Sequence, residues 1–226
     1  MKAMILAAGR GERMRPLTDH TPKPLLTAAG KPIIEHTISQ LVAAGFNDIV
    51  INHAHLGRQI EDYLGNGQSL GATICYSPEG KTALETAGGI INALPLLGDK
   101  PFLVVNGDIA ADFPYAELKN RTIDLAHLVL VNNPEHHPAG DFVLDHEGVA
   151  TGTGHTPGHK KKLTFSGIGL YSPELFSSTP AGISKLAPLL QAAMLERRVS
   201  GQHFTGFWMD IGTPQRLQEL DARLRI

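Results

Sequence analysis

Between residues 4 and 131, short apolar runs alternate with segments patterned as helices, and this alternation restricts the possible folds more than any other feature. Met4 to Ala8 reads as a buried strand. Pro32 then opens a segment with Ile34, Ile38, Leu41 and Val42 on one helical face, and Gly45 closes it. Asp48 to Asn52 predicts a second strand and Arg58 to Leu64 a short helix. A third strand follows over Ala72 to Tyr76, and a helix from Thr86 to Leu94. A fourth strand spans Phe102 to Asn106, and a fifth Leu125 to Val131. Strands separated by helices close as right-handed βαβ units, so the expected fold is α/β: an αβα sandwich around a mostly parallel sheet. Ligands of such sheets bind beyond the carboxyl ends of the strands. Three of those ends carry unusual chemistry here: Gly9 to Arg15, Glu79 to Gly89, and Asn106 to Asp112.

After Asn132 the pattern changes. Asn132 to Pro138 is a turn-rich break. Short strands are expected at Phe142 to Leu144 and Leu163 to Tyr171, around the Gly/Thr/His-rich stretch Thr151 to His159. This region reads as a small antiparallel appendage, a natural seat for a second substrate. Lys185 to Arg198 is helical, Phe204 to Ile211 a last strand and Thr213 to Arg225 a terminal helix. No linker separates independent units. The expectation is one domain over 1–226: a nucleotide-binding core mainly in 1–131, an insertion over 132–184, and further core elements in 185–226.

A chain of 226 residues buries enough apolar surface to fold without disulfides. The formal net charge of −2, with no long basic block, argues against a nucleic-acid partner, so any anion site must be a local concentration of positive charge. The lone Cys75 sits in an apolar run and is expected as a buried strand thiol in a reducing compartment. The first eight residues faintly imitate an export signal, but they run at once into Arg10, Glu12, Arg13 and Arg15, which suits a buried first strand better. No apolar run approaches the ~20 residues that span a bilayer. A cytoplasmic location without a membrane partner is the default expectation.

The segment Leu6 to Thr18 holds three arginines in six residues directly after the first strand. Small residues at Ala7, Ala8, Gly9 and Gly11 let a ligand approach the backbone, whose N–H groups can cradle phosphate oxygens while guanidinium groups bind them in pairs. Lys23, set between Pro22 and Pro24, suits a point charge aimed at the same phosphates. Two familiar phosphate motifs fail: the G-x-x-x-x-G-K-[ST] loop is absent, and G-x-G-x-x-G would need glycine where Met14 stands.

Asp108 follows the apolar strand Phe102 to Val105, and Asp210 ends the run Phe207 to Met209. A carboxylate embedded in strand-like sequence is costly unless paired or metal-bound. Together the two suit Mg²⁺, which takes one or two carboxylates and fills its shell with phosphate oxygens and water. Asp112 is a weaker third candidate. The eleven histidines lack zinc-site spacing: His53/His55 and His136/His137 are too close for one helical face, and H-E-x-x-H is absent.

Leu6 to Leu25, read as L-A-A-G-R-G-E-R-M-R-P-L-T-D-H-T-P-K-P-L, resembles the signature of the sugar-1-phosphate nucleotidyltransferases. The resemblance continues through Leu84 to Ile90, Asn106-Gly-Asp108 and Trp208 to Pro214. It implies a Rossmann-like αβα core with an inserted sugar-binding lobe, and Mg²⁺ on Asp108 and Asp210. It implies catalytic roles for Arg13, Lys23 and Asp108. Nucleotide contacts would come from Ala8, Gly9, Gly11, Glu12, Arg13, Lys23, Glu79, Ala83 and Glu85, and sugar contacts from Asn106, Asp141 and Ser166. The implied partners are UTP and a sugar 1-phosphate, N-acetylmuramate α-1-phosphate being the sugar expected, with peptidoglycan recycling as the setting. Glu79 can accept from uracil N3–H or from guanine N1–H, so guanylyl transfer to mannose or heptose 1-phosphate stays open. The family's usual Glu-Lys-Pro segment is not recognisable; Thr151 to Lys162 stands in its place, where His159 or Lys160 to Lys162 could meet a lactyl carboxylate. The β-helix tail of longer members is missing, which makes monomer the default. Two other classes share the core. A glycosyltransferase would want Asp-x-Asp and no arginine-rich first loop, and a non-catalytic sensor would lack the metal aspartates.

Overall fold

Six strands of the central sheet run in one direction and a seventh runs against them. In the computed structural model, which describes residues 1–80, 82–152 and 162–225, they are β1 (Ala3–Leu6), β2 (Asp48–His53), β3 (Thr73–Pro78), β4 (Phe102–Asn106), β5 (Ala126–Val131), β6 (Thr164–Tyr171) and β7 (Val199–Phe204). Their order across the sheet is β7-β5-β6-β4-β1-β2-β3. The chain steps from β1 to β2 and β3 on one side, then returns to place β4 on the other. The crevice between the ends of β1 and β4 is therefore the topological switch point where α/β sheets bind ligands.

Strands β1, β2 and β4 are mostly apolar because both faces are covered. Along β1, Met4 packs into one apolar cluster and Ile5 into the other. On the first face lies α1 (Ile33–Ala43), with Ile34, Ile38 and Leu41 fully buried, followed by α2 (Gly57–Leu64). Gly45, at φ 83°, ends α1 as expected: its N–H reaches Val42 O at 2.8 Å and that of Phe46 reaches Leu41 O at 2.9 Å. On the second face lie α3 (Glu85–Leu97), burying Ala87, Ile90, Ala93 and Leu97, and α4 (Leu186–Leu195). Each of these Ile and Leu side chains contributes roughly 1.5–3 kcal/mol by leaving water. The terminal helix α5 (Pro214–Leu224) packs Leu217 and Leu220 against Met14 and Ile211 in a third, smaller cluster.

Three expectations are corrected. Leu163 to Tyr171 does not belong to an appendage: β6 lies inside the main sheet, antiparallel to both β4 and β5. Its small and polar residues are tolerated there because they are satisfied. The Ser166 hydroxyl donates to Val129 O at 2.7 Å and accepts from Ile168 N at 3.1 Å, within an irregularity where Gly167 takes φ 80°. The strand expected over Phe204 to Ile211 is two strands, β7 at the sheet edge and the separate pair Trp208–Asp210 with Ile109–Ala111. Cys75 is exposed, not buried; β3 is an edge strand on which Ile74 faces the core and its neighbour the solvent. Beside the sheet, Val143–Leu144 pairs antiparallel with Ala150–Thr151, as an appendage would.

Candidate active site

The phosphate loop leaves β1 at the switch point and is anchored from below. Met14 is fully buried while Arg10, Glu12 and Arg13 are exposed. Gly11 adopts φ 64°, and a Cβ there would stand 3.0 Å from Thr18 Cγ2 and 3.1 Å from Lys23 Cβ, so backbone freedom and space both demand glycine. The Thr18 hydroxyl donates to Gly11 O at 2.8 Å and holds the turn. Lys23 is buried to 8% exposure, and its ammonium donates to Asp108 Oδ2 at 2.6 Å. A buried cation needs such a partner.

These residues line a cleft of about 460 Å³ between the loop and the end of β4. Of the residues named from sequence, Gly9, Gly11, Glu12, Arg13, Lys23, Asn106 and Asp108 line it, joined by Arg10, Thr86 and Gly212. A second hollow of about 320 Å³ shares Thr86 and Asn106 with the first and adds Glu85, Asp141, Phe165 and Lys185. Asp141 is fixed by His137 Nε2 at 3.0 Å and by Phe165 N, which donates at 2.8 Å. Gly167 leaves Asn106 the room it needs: a Cβ there would stand 2.7 Å from the Asn106 amide.

A polar relay braces the floor. Asn52, at the end of β2, accepts from Ala7 N at 2.9 Å and donates to Glu79 Oε1 at 2.6 Å. Glu79 Oε2 accepts from Leu84 N at 2.6 Å. Glu79 thus ties the entry of α3 to the first loop, and Gly89 leaves the room it needs: a Cβ there would lie 2.4 Å from Oε1. A polar residue ending an apolar strand was the one signal for Asn52 in the sequence.

Asp210 pairs in register with Ile109, and Ile211 N donates to Asp108 O at 2.6 Å, so the backbones of the two aspartates lie close together, Asp108 just ahead of the Ile109–Ala111 strand. Asp210 Oδ1 is engaged by Arg216 and by His136 Nε2 at 3.0 Å. Its Oδ2 and Arg13 Nη2 each lie 3.1 Å from where a Cβ on Gly212 would stand. Among the described residues no three His, Cys, Asp or Glu side chains cluster to enclose a metal. The Asp108 carboxylate lines the phosphate cleft, whereas that of Asp210 lines a separate hollow with His136 and Arg216; as oxygen donors both suit a hard cation that completes its shell with substrate oxygens and water.

Several named residues stand elsewhere. Ser166 is buried with its hydroxyl used inside the sheet, and lines neither hollow. Ala8 and Ala83 flank the site without lining it, Arg15 pairs with Asp19 at 3.4 Å, and Asp112 faces a separate cavity beside α1 and α5. His159, Lys160 and Lys161 lie outside the described residues; Lys162 is described, its carbonyl accepting from Asn133 Nδ2 at 3.0 Å. Arg216 and Lys185 were not singled out in the sequence, and His136 was weighed only as a zinc ligand, because nothing in their local spacing marks them.

A family profile described as Nucleotidyl transferase matches residues 2–225. The chain is 56% identical to the N-acetylmuramate alpha-1-phosphate uridylyltransferase of Neisseria meningitidis serogroup B, over 98% of this chain and 97% of that one. It is 35% identical to the enzyme of the same name from Caulobacter vibrioides, over 98% and 96%. A mannose-1-phosphate guanyltransferase from Gibberella zeae is 32% identical over 95% of this chain and 62% of its own length. A crystal structure from Bacillus anthracis, described as a glucose-1-phosphate thymidylyltransferase, superposes with a TM-score of 0.82, covers 100% of this chain and 95% of that one, and is 25% identical.

Proposed function

The chain belongs to the nucleotidyl transferase family, and from that premise we propose that it transfers a uridylyl group from UTP to N-acetylmuramate α-1-phosphate, releasing pyrophosphate. The observation that carries the reading is the joined pair of hollows. A cationic phosphate cleft shares Thr86 and Asn106 with an adjoining lobe lined by carboxylates and apolar side chains, as a triphosphate beside a sugar requires. The names of the relatives supply the base and the sugar.

In this reading a non-bridging oxygen of the sugar phosphate attacks the α-phosphorus of UTP. One P–O bond forms, the α–β bridging bond breaks, and its electron pair leaves with pyrophosphate. The nucleophile is already an anion near neutral pH, so no side chain need remove a proton, and catalysis rests on positioning and charge. Arg13, Arg10 and the backbone of Gly9 to Gly11 hold the triphosphate, with Glu12 at the rim. Lys23, whose ammonium donates to Asp108 Oδ2, offers its charge to the reacting phosphates. Asp108 and Asp210 would hold Mg²⁺, which when bound supplies charge neutralisation at the α-phosphate. Asn106, Asp141 and Glu85 face the sugar. The turn from Ala83 into α3, with Glu79 behind it, faces the base. The brace on both Glu79 oxygens leaves each a further lone pair for a base N–H.

The product would serve peptidoglycan recycling in the cytoplasm; no described helix is long and apolar enough to cross a membrane. The test is pyrophosphate release with each NTP, Mg²⁺ and a panel of sugar 1-phosphates. UTP with N-acetylmuramate 1-phosphate should lead. Faster release from GTP with mannose or heptose 1-phosphate would redirect the assignment, and no release from any pair would overturn it.

A further inference from the structure

N-acetylmuramate differs from N-acetylglucosamine by one group, the lactyl ether on O3, whose carboxylate is ionised at neutral pH. An enzyme that uses the first sugar must seat that charge. The lobe beside the phosphate cleft is lined by Glu85, Asn106, Asp141, Phe142, Phe165 and Lys185, among others. Its two carboxylates suit sugar hydroxyls and repel another carboxylate. Asp141 is already tied to His137 and to Phe165 N. Among the described residues, Lys185, at the start of α4, is the one basic side chain that lines this lobe, and it makes no salt bridge. Its ammonium is therefore available to a ligand rather than spent on the fold.

We propose that Lys185 is a specificity-determining residue that pairs with the lactyl carboxylate of the acceptor sugar. Charge-assisted hydrogen bonds of this kind are about twice as strong as neutral ones. In this geometry the interaction exists in both bound substrate and transition state, so it acts on KM more than on kcat. The chemistry at phosphorus needs no change: Lys185 selects the sugar and transfers no proton. The inference rests on the uridylyltransferase reading above and adds the group that recognises the acid.

The test compares wild type, K185Q and K185R with UTP, using N-acetylmuramate 1-phosphate, its lactamide, in which the acid is a neutral amide, and N-acetylglucosamine 1-phosphate, as substrates or as competitive inhibitors. K185Q should lower the preference for the acid over the lactamide and over the glucosamine sugar by about tenfold or more, chiefly through KM. K185R should restore most of the preference, a rescue that a purely structural role would not give. An unchanged preference in K185Q, in an enzyme whose wild type uses N-acetylmuramate 1-phosphate, would overturn the assignment of Lys185 alone. A wild type that rejects that sugar phosphate while turning over another would overturn the parent reading as well.

Discussion

At the scale of single residues, this site is organised around atoms that are missing. Gly212 has ordinary backbone angles, so strain does not explain it; space does. A Cβ there would stand 2.9 Å from Arg216 Nη2 and 3.1 Å from both Arg13 Nη2 and Asp210 Oδ2. All three contacts are the ends of side chains, which can shift by a few tenths of an ångström without disturbing the backbone. Gly212→Ala should therefore keep the fold, with a melting temperature near that of wild type, and move Arg13 and Asp210, the proposed triphosphate and metal ligands. A ~1 Å misplacement costs about 100-fold in rate, so a shift of a few tenths of an ångström should cost roughly a few-fold. Steady-state pyrophosphate release beside a thermal melt checks both halves of the statement. A variant with wild-type kinetics would show that Arg13 and Asp210 need not approach each other.

At the scale of elements, legibility followed the range of the interactions involved. The end of α1 could be read from Gly45 because a helix stop is a local event, complete within residues 41–46. The loop from Gly9 to Lys23 and the strand end at Asp108 were legible because glycines, arginines and a carboxylate after an apolar run declare their chemistry in place. Strand β6 could not be read correctly. Its membership of the main sheet depends on pairing with β4, some sixty positions earlier, and its buried Ser166 is acceptable only because Val129 O lies across from it. Likewise β7, written Val-Ser-Gly-Gln-His-Phe, looks too polar for a sheet until His127 of β5 is seen beneath it. That imidazole is buried, with Nδ1 2.8 Å from Ser200 Oγ and Nε2 3.0 Å from Gln202 Oε1. Burial pushes its pKa down from 6.5 to about 4, against the opposing pull of Gln202. Between those values the unfolded chain binds a proton that the folded chain does not. Stability from this group is thus fully present above about pH 6.5 and is lost as pH falls toward 4. At ~1.4 kcal/mol per unit, its share of the loss between pH 7 and pH 5 is about 2 kcal/mol. Urea unfolding at the two pH values should show a difference smaller by about that amount in His127→Gln. Equal differences in the two proteins would mean that His127 keeps an ordinary pKa in the fold.

At the scale of the molecule, the cleft joins stretches far apart in the chain: the loop after β1, the start of α3, the end of β4 and the turn before α5. A ligand that fills it binds only when all four are in place, so its binding energy adds to the folding energy of the whole. At a free concentration 100 times its dissociation constant, UTP would add about 2.7 kcal/mol. For a chain of this size each kcal/mol moves the midpoint by about 2–4 °C, which predicts a rise of about 5–10 °C. The same experiment separates the nucleotide from the metal. In wild type the rise with UTP and Mg²⁺ should exceed the rise with UTP and EDTA. In Asp108→Ala that excess should vanish while part of the nucleotide's own effect persists, because Arg10, Arg13 and the loop amides are untouched. Turnover in the same variant should be nearly abolished. A full magnesium excess in Asp108→Ala would move the metal off that carboxylate. An absence of any UTP effect in wild type would move the triphosphate out of the cleft altogether, because a ligand seated across four elements cannot bind without stabilising them.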